Sequence, residues 1–191
     1  MSKRNDAGFS LMETLVSIGI LSAVALGVAQ LFALSMLANR NAKLQTSTAL
    51  LATEKMEQLK ALTWGFDNTE LGLPMTDTTT NLSNTPATTD GNGLNPSPSG
   101  TLQTNTPGYV DYLDGFGNWA GNGSTPPASA VYIRRWAIEP LPTNPNNTLI
   151  LQVFVTTPKA EALFERAPTG QSRVRLADDA WIVGVRTRKA Q

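Results

Sequence analysis

The sequence predicts an α+β protein in which one long N-terminal helix packs on a C-terminal antiparallel sheet of three or four strands. An apolar run near the N-terminus continues into a segment with a helical apolar stripe, and the last third holds stretches of β-branched and aromatic residues. The region between them is rich in turn formers. A chain of 191 residues has room for one ordinary core, so the amphipathic part of the helix and the sheet are each other's expected partners.

Residues 9–38 are predicted to form a helix long enough to span a membrane. Residues 14–39 contain no charged side chain, and a helix of these 26 residues would reach roughly 39 Å, against about 30 Å for a hydrocarbon core. A secretory signal peptide is the competing interpretation. It is less favoured, because its apolar region would be shorter and would end at a small-x-small cleavage site.

Residues 39–64 continue the helix and are predicted to be amphipathic. They contain neither Gly nor Pro, and Glu54, Glu57 and Gln58 lie on the face opposite to the apolar stripe. This half of the helix must bury its stripe, and the rest of the chain is the expected partner. The stripe comprises Leu44, Thr48, Leu51, Ala52, Met56, Leu59 and Leu62.

Residues 65–130 are predicted to be a loop region. Thr, Asn, Ser, Gly and Pro dominate it, and since they bury little surface and favour turns, we expect a surface loop that is partly disordered. Residues 109–123 carry Asp-Gly and Asn-Gly turn signals, which predict a docked loop or a short hairpin. Oxygen ligands for calcium are conceivable at Asp111, Asp114 and Asn118, but turn formation is the favoured explanation because EF-hand spacing is lacking.

Residues 131–191 are predicted to form the sheet. Residues 131–139 and 148–156 are rich in β-branched and aromatic side chains and are joined by turn formers, which predicts an antiparallel hairpin. SRVRLA and AWIVGVRTR add one or two strands, and KAEALFER before them is predicted to be a short helix. Trp136 and Trp181 are expected in the core or on a sheet face.

Basic residues recur at alternate positions near the C-terminus, and two interpretations are open. A basic stripe would suit DNA, because phosphate contacts require only positive charge. The favoured interpretation is a solvated face, or an edge strand that charge protects from pairing. The residues are Arg173, Arg175, Arg186, Arg188 and Lys189.

Composition excludes several classes of catalytic site. The chain has no cysteine and no histidine, so disulfide frameworks, Ser-His-Asp and Cys-His catalysis and zinc sites are excluded. Fifteen Lys and Arg balance fifteen Asp and Glu, so no global field favours nucleic acid. Asp178-Asp179 and the Glu161/Glu165 pair are the close carboxylates, and surface charge explains them best. We expect no enzymatic activity, no cofactor and no metal.

One carboxylate, Glu13, lies at the start of the apolar run. An ionisable side chain in a spanning segment costs about 2.5 to 3.5 kcal/mol on insertion scales and usually has a partner. The stretch AGFSLMETL closely resembles the processing signal of type IV prepilins and type II secretion pseudopilins. It has a short basic leader ending at Gly8, then aromatic Phe9, and Glu13 as the fifth residue from Phe9. The predicted helix and sheet likewise resemble the pilin fold.

The resemblance implies how the chain is processed and assembled. Prepilin peptidase would cleave between Gly8 and Phe9, making residues 1–8 the leader, and would methylate the new α-amine of Phe9. Glu13 would pair with the N-terminal amine of a neighbouring subunit, as an assembly contact and not a catalytic one. Two charges in an apolar filament core offset each other's cost only when the register between subunits is correct.

The resemblance also implies a location and a set of partners. The chain would be a single-pass inner-membrane protein with a periplasmic head and would then enter a pilus or pseudopilus. Its partners would be prepilin peptidase, other pilin or pseudopilin subunits, the inner-membrane assembly platform and membrane lipid.

Two absences make the chain most similar to PilV-like minor pilins. It lacks the mid-helix proline common in major pilins and the C-terminal disulfide loop of many of them. A minor pseudopilin of type II secretion is the alternative within the same machinery. The alternative from another class is a single-pass membrane protein whose periplasmic head binds a ligand.

Overall fold

Two helices and seven strands make up the part of the chain that the structure, a computed structural model, describes: residues 10–69, 71–165, 176 and 178–188. The chain divides into two units, residues 1–42 and residues 43–191. Helix α1 (Leu11–Ala61) begins in the first unit and ends in the second. The predicted α+β class, with a long N-terminal helix packed on an antiparallel sheet, is confirmed.

In the first unit, α1 is apolar on all sides. Its large apolar side chains from Leu11 to Leu37 are exposed, and its most apolar 18-residue window has a mean hydropathy of 2.2. By length and composition, α1 is able to cross a membrane. The hydroxyls of Thr14, Ser17 and Ser22 donate to backbone carbonyls one turn earlier, at 2.7 to 2.9 Å. These polar groups are therefore satisfied within the helix, as an apolar environment requires.

In the second unit, α1 buries one face. The buried residues recur every three or four positions, as expected of one face of an α-helix. The predicted stripe is confirmed, with Leu44 and Leu62 partly buried at its two ends. One buried side chain, Lys55, lies outside the prediction. The buried residues are Thr48, Leu51, Ala52, Lys55, Met56 and Leu59.

The main sheet has five antiparallel strands in the order β4-β3-β5-β6-β7. The predicted hairpin is confirmed as β5–β6, with Trp136 opposite Val153. The sheet exceeds the predicted three or four strands, because the hairpin expected at residues 109–123 pairs with β5 and so extends the sheet. The strands are β3 (Val110–Leu113), β4 (Trp119–Asn122), β5 (Tyr132–Pro140), β6 (Thr148–Thr156) and β7 (Ala180–Thr187).

Different helices pack on the two faces of the main sheet. Alternate residues of β5 and β6, including Trp136, Leu151 and Val153, share one core with the buried face of α1. Helix α2 (Pro158–Glu165), the predicted short helix, lies on the outer face, where Glu161 forms an ion pair with Arg135. The further strand predicted at SRVRLA lies outside the described residues, except for Leu176.

Residues 71–108 fold against the core, so the expectation of a loose surface loop is wrong here. Strands β1 (Trp64–Phe66) and β2 (Pro74–Thr76) form a short antiparallel ribbon. Beyond it, Leu82 and Leu94 are buried in the main core. The turn-forming residues of this segment fix the backbone between buried side chains such as Leu82 and Leu94. At Gly91, for example, a Cβ would overlap the backbone of Asn81, so the close approach requires glycine.

Candidate functional site

Helix α1 begins with a capping sequence that includes Glu13. The Ser10 side chain accepts a hydrogen bond from the Met12 N–H at 3.3 Å, and the Ser10 carbonyl accepts one from the Glu13 N–H at 3.0 Å. Ser10 and Glu13 have the S-x-x-E spacing of a capping box, and a carboxylate in the first turn interacts favourably with the helix dipole. The Glu13 carboxylate therefore complements the dipole at the helix start, a local role that the sequence analysis did not recognise.

The structure places one of the three predicted site residues. The Glu13 side chain is exposed, and no donor among the described residues contacts its carboxylate. Gly8 and Phe9, predicted for cleavage and methylation, lie outside the described residues. The Glu13 carboxylate is thus accessible to a partner from another molecule.

A buried ion cluster joins the second half of α1 to the sheet. Lys55 Nζ lies 2.8 Å from Asp111 Oδ2, and both side chains are 0% exposed. Arg134 donates from Nε and Nη2 to the two oxygens of the same carboxylate, each at 2.9 Å. Arg134 also approaches half-exposed Glu54 at 3.4 Å. Sequence analysis missed this cluster, although the arginine pair inside the otherwise apolar strand VYIRRWAIE signals buried charge that requires partners.

Two further contacts fix Lys55. Its Nζ donates to the Leu82 carbonyl at 2.7 Å and lies 4.5 Å from the centre of the Trp136 ring. The Leu82 contact attaches the folded segment 71–108 to α1. One lysine therefore connects the helix, the sheet and the segment between them.

The cluster contains more buried positive than negative charge. Burial lowers the pKa of Lys55 to about 8, and Arg134 adds to the effect, whereas Asp111 opposes it. Burial would also lower the pKa of Arg134, but the carboxylates of Asp111 and Glu54 outweigh burial and raise it. Lys55 is therefore the cation whose charge the core tolerates least.

The neighbouring arginine is buried on the opposite face of the sheet. Arg135 donates from Nη2 to Glu161 Oε1 of α2 at 2.8 Å, and from Nε to Asn105 Oδ1 at 2.9 Å. The interpretation of Glu161 as plain surface charge is therefore wrong, because its carboxylate neutralises a buried guanidinium. Asp179 is also buried and accepts a hydrogen bond from the Leu176 N–H at 3.0 Å.

Arg186 binds the C-terminal end of α1. Its guanidinium donates from Nη1 to the Leu59 carbonyl at 2.9 Å and from Nη2 to the Leu62 carbonyl. The Leu59 carbonyl belongs to the last turn of α1 and the Leu62 carbonyl follows it directly, where intrahelical donors are lacking and a cation also complements the dipole. A DNA stripe and a solvated face are therefore wrong for Arg186, whereas β7 does lie at the edge of the described sheet, as the edge-strand interpretation requires.

Arg188 holds the β1–β2 ribbon. Its guanidinium lies 3.4 Å from the centre of the Trp64 ring, and it donates from Nη1 to the Gly65 and Met75 carbonyls, each at 2.9 Å. Because its donors are used within the chain, Arg188 is neither part of a DNA stripe nor a solvated side chain. The remaining residues of the predicted stripe, Arg173, Arg175 and Lys189, lie outside the described residues.

The candidate calcium ligands do not converge. Asp111 is enclosed by Lys55 and Arg134, whereas Asp114 accepts hydrogen bonds from the Phe116 and Asn118 N–H groups at 2.8 and 2.9 Å. These backbone hydrogen bonds lower the pKa of Asp114, as expected of a carboxylate that fixes a turn. Within the described residues no group of three metal-ligating side chains is present. Turn formation, the favoured prediction, explains Asp114 and Asn118.

Comparison with known proteins identifies the N-terminal segment. Residues 3–29 match the prokaryotic N-terminal methylation motif, which includes Gly8, Phe9 and Glu13 and runs into the apolar part of α1. No curated protein and no solved structure matches the chain. Proteins with this motif are structural and not catalytic, and one apolar N-terminal helix fits a membrane-anchored subunit. The motif and the long helix packed on an antiparallel sheet together support a protein of the type IV prepilin and pseudopilin type.

Proposed function

We propose that the chain is a minor pilin-like subunit, most similar to the PilV-like group, of a type IV pilus or a related filament. It is inserted in the inner membrane as a single-pass protein, with residues 43–191 in the periplasm. Prepilin peptidase cleaves it after Gly8 and methylates the amine of Phe9. The mature chain assembles with other subunits through its N-terminal helix.

One observation carries this proposal: the methylation motif continues without interruption into a helix that has no charged residue from 14 to 39 and whose apolar side chains are exposed there. An exposed apolar helix of this length requires either lipid or other apolar helices around it. A prepilin supplies both in sequence, because it resides in the bilayer before it enters a filament core. The exposed apolar side chains of the helix are thus covered by lipid before assembly and by neighbouring helices in the filament.

Glu13 adds the assembly contact. After cleavage, the α-amine of Phe9 is a new cation four residues before Glu13. The amine and the carboxylate are each costly in an apolar filament core, whereas a pair formed between neighbouring subunits offsets that cost. The exposed Glu13 carboxylate, without a donor among the described residues, is available for such a pair.

Co-expression with a prepilin peptidase tests the proposal. The expected result is an intact mass that corresponds to loss of residues 1–8 and gain of one methyl group on Phe9. A Gly8→Ala variant should remain uncleaved, and a Ser2→Ala variant in the same leader serves as the matched control. A wild-type chain that keeps Met1 in the presence of the active peptidase contradicts the proposal and favours an ordinary single-pass membrane protein with a ligand-binding head.

A minor pseudopilin of type II secretion shares the motif and the helix, so the mass measurement supports both candidates. Deletion of the gene separates them. Loss of surface pili with normal export of secreted enzymes favours the pilus, and the reverse result favours the secretion system.

A further inference from the structure

Helix α1 carries two triplets of exposed side chains with the same spacing. Each triplet has an apolar residue followed by two charged residues, four and seven positions later, so its members lie on one side of the helix. The charges are positive in the first triplet and negative in the second. The cationic triplet is Met36, Arg40 and Lys43, and the acidic triplet is Leu50, Glu54 and Glu57.

The apolar members of both triplets are open to solvent. Met36 and Leu50 are 72% and 67% exposed. Leu50 is the one large apolar side chain of residues 43–61 that is exposed, since the others in that range are buried or partly buried. The acidic triplet therefore adds apolar area to an otherwise polar side of the helix.

The charged members are accessible as well. None of the ion pairs among the described residues involves Arg40 or Lys43. Glu57 and Glu54 are 65% and 50% exposed, and each has one cation of its own chain nearby, at 3.0 and 3.4 Å. Exposed ion pairs contribute little to stability, and a carboxylate accepts several hydrogen bonds, so both carboxylates are able to bind a further cation.

The equal spacing makes the two triplets complementary in a single register. Each member of the cationic triplet lies 14 positions before its counterpart in the acidic triplet. Two parallel copies of α1 that are displaced by 14 residues, about 21 Å at about 1.5 Å per residue, therefore bring all three pairs together at once. Fourteen residues are also two heptads, the repeat at which neighbouring parallel helices keep the same sides in contact.

A displaced contact suits a filament better than a closed dimer. Copies at the same height place like charges opposite each other, which is unfavourable. In the displaced arrangement each copy presents its cationic triplet to one neighbour and its acidic triplet to another. Such a head-to-tail contact repeats along an open assembly.

This step rests on the proposed function, because copies anchored in one bilayer share one depth and become displaced only when they enter a filament. We propose that the cationic triplet of one copy of this chain binds the acidic triplet of a second copy, displaced by about 21 Å along α1. The pair between Glu13 and the Phe9 amine spans only four positions and therefore involves a different neighbour.

Cysteine cross-linking tests the register, because the chain has no cysteine of its own. Full-length Met36→Cys and Leu50→Cys chains, co-expressed and oxidised in sheared filaments, should form a disulfide-linked dimer, with roughly tenfold less dimer from either variant alone. Leu34→Cys in place of Met36→Cys is the matched control, since Leu34 is 65% exposed and two positions away, on the opposite side of the helix. The membrane fraction should lack the dimer, because the copies there are not displaced.

Charge exchange tests the ion pairs. Lys43→Glu in the Met36→Cys chain should reduce the amount of dimer roughly three- to fivefold, and Glu57→Lys in the Leu50→Cys chain should restore it. Lys159→Glu, at an exposed cation outside the triplets, should leave the amount unchanged. If Lys43→Glu instead lowers the amount of chain in the membrane fraction and leaves the dimer unchanged, Lys43 binds anionic lipid headgroups and not a second copy.

Two further results overturn the contact and leave the proposed function intact. Filaments that contain both cysteine chains without the dimer show that the neighbours of this chain are other subunits. As much dimer from Met36→Cys alone as from the mixture shows copies aligned at the same height. Absence of the wild-type chain from filaments contradicts the proposed function, and the contact with it.

Discussion

At the residue scale, Glu13 combines two roles that share one position. It places a negative charge in the first turn of α1, where the helix dipole favours it, and its carboxylate is exposed for a neighbouring subunit. Loss of assembly in an alanine variant alone would be ambiguous, because alanine removes the polar side chain and the charge together. Glutamine keeps the size and polarity of the side chain and removes only the charge.

We expect Glu13→Gln and Glu13→Ala chains to be inserted and cleaved normally but to assemble poorly, at about one-tenth of the wild-type level, or about 1.4 kcal/mol of lost pairing. The amount of each chain in sheared filaments measures this effect. Thr14→Val, a neutral change on the same turn, is the control. Normal assembly of the glutamine variant would show that assembly does not depend on the charge of Glu13.

The buried cluster contains one buried anion and two buried cations. Removal of the anion and removal of a cation should therefore have unequal effects on stability. Asp111→Asn should destabilise the second unit by about 3 to 5 kcal/mol, because Lys55 then loses its buried counterion and Arg134 keeps only half-exposed Glu54. Lys55→Met should cost less than about 1.5 kcal/mol, since a bidentate Arg134–Asp111 pair of zero net charge remains and methionine fills a similar volume.

Urea unfolding of the full chain in detergent, followed by tryptophan fluorescence, measures both variants. All four tryptophans lie between residues 64 and 181, so the signal reports the second unit. Equal losses for Asp111→Asn and Lys55→Met would contradict an excess of buried positive charge.

At the element scale, the periodicity of apolar residues predicted those helices and strands that the local sequence determines. The stripe of α1 and the β5–β6 hairpin follow from spacings of three to four and of two residues. The ends of these elements depend on distant residues. Arg186 binds the last turn of α1 from a distance of more than 120 positions along the chain, and no local pattern specifies that pairing. Segment 71–108 escaped prediction for a related reason, since Leu82 and Leu94 anchor it individually within a polar stretch.

Removal of the Arg186 side chain tests the importance of this helix end. Arg186→Met should lower the free energy of unfolding by about 2 kcal/mol, because the Leu59 and Leu62 carbonyls lose a charged donor. Lys159→Met, at an exposed cation of α2, should change it by less than about 0.5 kcal/mol. The same fluorescence-detected unfolding measures both. If the two variants are equally stable, Arg186 does not act as the cap of α1.

At the scale of the whole molecule, the two units differ in how their charges are satisfied. The first unit keeps charge out of a long helical stretch and leaves Glu13 at one end. The second unit buries Lys55, Asp111, Arg134 and Arg135 and pairs each of them inside the chain. The sequence predicted the arrangement in the first unit, because the length of a stretch without charged residues is visible in the sequence itself. It did not predict the second, because these pairs join residues 23 or more positions apart.

The buried excess of positive charge predicts a pH dependence of stability for the second unit. Lys55 has a pKa of about 8 in the folded chain, against 10.5 for an exposed lysine. Between these values the unfolded chain binds more protons than the folded chain, so the contribution of Lys55 to stability rises with pH. Below pH 8 both states are protonated, and the cost of the buried charge is fully present.

Comparison with Lys55→Met isolates this contribution. The pKa of Tyr109 and Tyr112 is raised by burial, which lowers stability above about pH 10, but both chains retain these tyrosines. We expect the free energy of unfolding of the wild type, minus that of Lys55→Met, to increase between pH 7.5 and pH 10 by at most about 3 kcal/mol. Unfolding in urea at several pH values measures the difference. A difference that stays constant or falls with pH would mean that Asp111 fully compensates the buried charge of Lys55.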